Sequence, residues 1–90
     1  MNRNKIALSS LSMDLKRVAL GYNNGSITTA TRVFEEAIKR RDGVDKKQVR
    51  PYLRKILENL DELFSQKDNQ KIAEDALMYS TIFQNAALAK

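Results

Sequence analysis

Apolar side chains recur along this chain at steps of three and four, the spacing that lines one face of an α-helix. Leu8, Leu11, Leu15, Val18 and Tyr22 make a first stripe, and Ile27, Ala30, Phe34, Ala37 and Ile38 a second, with Val33 beside it. Val49, Leu53, Ile56, Leu60 and Leu63 make a third. Tyr52, Leu57 and Phe64 widen it, which suits a helix touching two neighbours. Ile72, Ala76, Tyr79, Phe83 and Ala86 make the fourth.

The breaks carry residues that stop or start helices. Gly21 or Asn23-Asn24-Gly25 ends the first segment, because Gly and Asn accept the left-handed conformation at a helix C-terminus. Ser26 offers a hydroxyl as N-cap of the second, and Asp42-Gly43 stops it. Asp45, with Gln48 three residues on, resembles a capping box, and Asp68 or Asn69 opens the last segment. Pro51 lies in what would be the second turn of the third helix, where it removes a hydrogen bond. Short breaks make consecutive helices antiparallel neighbours. The pattern therefore predicts an all-α, up-down four-helix bundle in a single domain, residues 1–90. The helices fall at about 7–21, 26–41, 45–64 and 69–87, the third kinked or interrupted near Pro51. A more splayed helical array that closes on dimerising is the alternative.

Two features exceed a plain bundle. The first is apolar surplus. From Ala76 to Ala89 the fourth segment carries no charge. Leu77 and Leu88 project away from its stripe, and Met78 and Ile82 lie on its other flank. In the first segment Ile6, Met13 and Leu20 repeat every seven residues, opposite the main stripe. Contiguous exposed apolar surface marks an interface. These seven residues are the expected self-association surface of a homo-oligomer, a dimer. The stretch in the fourth segment is too short to span a bilayer, and Ser80, Thr81, Gln84 and Asn85 interrupt it.

The second feature is charge placement. The chain carries 16 Lys and Arg against 11 Asp and Glu, for a net +5. Between Lys39 and Lys55 stand eight basic residues and two acidic ones. Antiparallel order brings Arg3, Lys5 and Lys90 to the same end. In a continuous third helix, Lys46, Lys47 and Arg50 near its start and Glu58, Asp61 and Glu62 near its end both oppose the helix dipole. Arg54 with Glu58 is a candidate local neutraliser. A local rule broken without evident compensation points to function. Lys39, Arg40, Arg41, Lys46, Lys47, Arg50 and Arg54 are the expected contact residues for a macromolecular partner, a protein first. Nucleic acid is the alternative, with the same side chains on phosphates.

Catalysis has little to stand on. Cysteine, histidine and tryptophan are absent, which excludes Cys–His and Ser–His pairs, thiolate or imidazole metal sites and any disulfide. The acidic pairs Glu35-Glu36, Asp61-Glu62 and Glu74-Asp75 read as solvated helix charges. No phosphate loop is present, and the turn at 21–26 with Thr28, Thr29 and Thr31 reads as a turn and cap. No catalytic residue, metal or cofactor is expected. The basic head and short apolar run at the start, broken by Ser9, Ser10 and Ser12, do not make a signal peptide, so a cytoplasmic location is the expectation. The reading is a non-enzymatic, self-associating helical protein, an adaptor or regulator that binds through a basic pole.

Overall fold

A computed structural model describes residues 3–63 and 65–88. Phe64, counted in the third stripe, and Lys90, assigned to the basic end, lie outside the described residues. The fold is all-α. Helices α1 (Arg3–Asn23), α2 (Ile27–Asp42), α3 (Pro51–Glu58), α4 (Leu60–Leu63) and α5 (Asn69–Leu88) follow in order, with a 3₁₀ turn at Lys46–Gln48. The described residues measure 36 × 21 × 19 Å. Their radius of gyration is 12.3 Å, against about 12 Å expected for a packed chain of this length.

α1 is the axis of the structure: it packs along α5 on one side and α2 on the other. Its stripe of Leu8, Leu11, Leu15 and Val18 is buried, as the periodicity implies. Phe34 and Ala37 of α2, Leu53 and Leu57 of α3, Leu60 and Leu63 of α4, and Ala76 and Phe83 of α5 complete one apolar cluster. Val44, in the break after α2, also joins it.

The seam between α1 and α5 is built from small residues. Ser12 and Ala19 on α1, and Ala73 and Ser80 on α5, are each one heptad apart and all buried. Ser12 Oγ donates to the Ser80 carbonyl at 2.7 Å, and Ser80 Oγ donates to the Ser12 carbonyl at 2.8 Å. This reciprocal pair satisfies both hydroxyls and brings the two backbones within a serine side chain of each other. Both serines looked like interruptions of apolar runs in the sequence. Both are buried and hydrogen-bonded across the helix pair.

The turn after α1 closes as a Schellman motif. Ser26 N–H bonds the Gly21 carbonyl at 2.8 Å and Gly25 N–H the Tyr22 carbonyl at 3.4 Å, with Gly25 left-handed at φ 78°. Gly21 serves a different need. A Cβ there would lie 2.7 Å from the Cβ of Ala30, so the α1–α2 crossing depends on its missing side chain. Ser26 holds the N-cap position of α2 without a side-chain cap, contrary to expectation. Asp68 does cap α5, with Oδ1 accepting from Gln70 N–H at 3.0 Å.

The third segment departs from a single helix over 45–64. Pro51 stands in the first turn of α3, where its missing N–H costs nothing, so the interruption expected near it is a clean start. A second break falls at Asn59, which the periodicity did not reveal because Leu57, Leu60 and Leu63 stay in phase across it. Short α3 and α4 therefore replace one rod beside the other three helices. The dipole conflict shrinks accordingly. Lys46 and Lys47 belong to a separate turn and Asp61 and Glu62 stand in the first turn of α4, while Arg50 remains as a cation at the N-cap of α3 and Glu58 as an anion at its last residue.

Candidate functional site

The start of α1, the 3₁₀ turn, the start of α3 and the end of α5 meet at one end of the molecule. Asn4 ties the first two together. Its Nδ2 donates to the Asp45 carbonyl and its Oδ1 accepts from Asp45 N–H, each at 3.0 Å. Asp45 in turn caps the 3₁₀ turn, with Oδ1 accepting from Lys47 N–H at 3.0 Å.

Around this junction the basic residues divide into two groups. Arg40 and Arg41 are engaged inside the fold. Arg41 is buried; its Nη1 lies 3.0 Å from Asp61 Oδ2 and its Nε 3.2 Å from Asp42 Oδ1. Nη1 also donates to the Leu57 carbonyl at 3.4 Å. Arg41 thus fastens the end of α2 to the α3–α4 junction. The sequence held a signal for this: Ala30, Phe34, Ala37 and Arg41 step by four, three and four, so Arg41 continues the buried stripe. Arg40 Nε lies 2.6 Å from Oδ2 of Asp14, off the N–H axis, so the contact is an ion pair and not a well-directed hydrogen bond. Asp14 is buried between Leu11 and Val18 of the α1 stripe, a lone acid on an apolar face that needed a cation from a neighbour.

The second group faces solvent. Lys39, Lys47, Arg50 and Arg54 are exposed, and Lys46 is half-buried. Arg54 Nε donates to the Lys46 carbonyl at 3.1 Å, bracing the 3₁₀ turn against α3. The contact expected from Glu58 is replaced by this one.

Between these elements lies a groove of about 320 Å³. Its apolar lining comes from Leu8, Val49, Leu53 and Ala86, and its cations are Lys5 and Arg50. Asn4, Tyr52, Gln48 and Asn85 also line it, and among the described residues no acidic one does. Lys5 and Tyr52 were not among the expected contact residues. Tyr52 widens the apolar stripe of the third segment, yet its side chain is half exposed at the groove. Which cations surround a cavity depends on how four chain segments converge, and periodicity carries no trace of that.

The residues expected to mediate self-association fall in three places. Ile6, Met13 and Leu20 run along the side of α1 turned away from the core, each at least half exposed. Leu88 meets Ile6 across a second groove of about 300 Å³, together with Ser9 and Ser10. Leu77 is also exposed on α5, and Met78, one residue on, is turned about 100° from it. Ile82 packs against the core. Among the described residues no group of acidic side chains is arranged to hold a metal ion. Likewise, no described helix is long and apolar enough to cross a membrane.

Comparison with protein-family models, with curated proteins and with solved structures gives no match.

Proposed function

We propose that this chain is a non-enzymatic adaptor or regulator that self-associates through the outer face of α1 and α5 and binds an acidic protein partner at its basic end. The observation that supports this is the junction itself. Lys5 and Arg50, from two different segments, line a groove together with apolar residues and, among the described residues, no acidic one, and the exposed Lys47 stands in the adjoining 3₁₀ turn. Phosphate-tracking surfaces combine cations with stacking aromatics. Here one tyrosine and an apolar cleft accompany the charges, a composition closer to a protein interface, whose centre is apolar and whose rim is polar. The exposed line of Ile6, Met13 and Leu20 supports the self-association part of the reading.

The test is direct binding. Labelled poly-glutamate, duplex DNA and single-stranded RNA are titrated across a salt series, with Lys47→Glu/Arg50→Glu as control. Poly-glutamate binding that is lost in the variant, with weak nucleic-acid binding, agrees with the proposal. Tight nucleic-acid binding near physiological salt, with a steep negative slope of log K against log salt, replaces it with the nucleic-acid reading. Light scattering checks association. A dimer that Met13→Lys converts to monomer agrees, and a wild-type monomer at tens of micromolar overturns this part.

A further inference from the structure

We propose that the groove between α1, α3 and α5 is the specificity element of the basic end: it takes a single bulky apolar side chain of an extended acidic peptide, while Lys5 and Arg50 hold carboxylates on either side of that anchor. This deepens the proposed function and rests on it.

Three observations carry the argument. First, size. A volume of about 320 Å³ is at the low end of the roughly 300–1,000 Å³ found for small-ligand pockets. That suits one large side chain and is too little for an amphipathic helix, which needs a long groove for anchors one and two turns apart. Second, layered chemistry. Val49 and Ala86 are partly buried where they line the groove alongside the buried Leu8 and Leu53, whereas Arg50 and Tyr52 are exposed. An apolar side chain entering the groove leaves its flanking residues level with the cations. Third, availability. Arg40 and Arg41 are occupied by Asp14, Asp42 and Asp61, whereas among the described residues no carboxylate lines the groove beside Lys5 and Arg50. An incoming acid therefore meets uncompensated positive charge, which also speeds encounter.

The experiment uses three short labelled peptides, titrated into the full chain. One is built of Asp, Glu and Ser with a single central Leu. The second replaces that Leu with Gly, and the third replaces its acids with Lys. A single-stranded RNA oligonucleotide is a fourth probe. The Leu peptide is expected to bind roughly tenfold or more tighter than the Gly peptide, the gain from burying one leucine. Arg50→Glu weakens both acidic peptides. Ala86→Leu, which fills the groove at a helical position, abolishes the difference between them. Amide chemical-shift changes in the wild-type protein localise the contact independently of any variant and are expected at 48–53 and 85–86. Equal binding of the Leu and Gly peptides, both lost in Arg50→Glu, overturns the groove inference and leaves the basic-end reading standing. Absence of acidic-peptide binding overturns both. RNA binding that shifts Tyr52 overturns both in favour of nucleic acid.

Discussion

The serine seam between α1 and α5 and the basic end are both polar insertions into an apolar plan, and they resolve in opposite ways. At the seam the polar groups answer each other: Ser12 and Ser80 exchange hydrogen bonds, and nothing is left over. At the basic end the answer is partial. Arg40 and Arg41 find carboxylates inside the fold, while Lys47 and Arg50 face solvent. Polar residues in a helical stripe therefore do not signal function by type. What separates structural from available charge is whether a complementary group comes within reach when the helices pack.

The largest effect that could break this contrast is in the seam. Ser80→Leu forces a bulky side chain into a backbone approach and removes the partners of Ser12. It should cost about 3 kcal/mol or more, read by urea unfolding. Native-like stability would mean that the helices do not approach so closely. Next come the engaged arginines. Arg41→Ala removes contacts to Asp42, Asp61 and the Leu57 carbonyl, and Arg40→Ala leaves the Asp14 carboxylate buried without its cation. Each should cost about 1–3 kcal/mol, discounted from a fully buried pair because Arg40, Asp42 and Asp61 reach solvent. Neither change should affect intrinsic affinity for an acidic peptide once the protein is folded. Equal loss of peptide binding in both would erase the distinction between the two groups of cations.

Gly21→Ala sets a Cβ against Ala30 and should cost about 1–2 kcal/mol net, after the roughly 1 kcal/mol that alanine contributes to a helix. Gly25→Ala keeps open space but requires a left-handed alanine, for about 1 kcal/mol in thermal or urea unfolding. Comparing the two separates steric from conformational demand within one turn. At the small end, Arg50→Ser should leave the unfolding midpoint nearly unchanged while weakening acidic-peptide binding. A matching loss of stability would place Arg50 with Arg41 among the structural residues.

The legibility of the chain followed its periodicity. The stripes of the first, second and fourth segments placed α1, α2 and α5, because each is long and keeps phase over several turns. The third failed at Asn59, where the hydrophobic register passes through the break unchanged. Among the expected contact residues, Arg41 is legible as buried from its step after Ala37. Arg40 was not readable, since its partner Asp14 stands on another helix. Ile6, Met13, Leu20, Leu77, Met78 and Leu88 were identified as outward-facing by their angle alone, and they are exposed. Ile82 shared the flank of Met78 but packs on the core.

By itself the sequence determined the helical class, the bounds of α2 and α5 to within one residue, the side of α1 that faces away from the core and the excess of positive charge, whereas α1 begins at Arg3, four residues before the expected start. These depend on contacts between residues a few positions apart, where backbone geometry fixes direction. Tertiary structure alone decided which carboxylates neutralise Arg40 and Arg41, that two serines exchange hydrogen bonds across α1 and α5, and that Lys5, Arg50 and Tyr52 share a groove. Those outcomes depend on groups far apart in the chain meeting at distances of a few ångströms, and helix packing sets such distances only after every helix has found its neighbours.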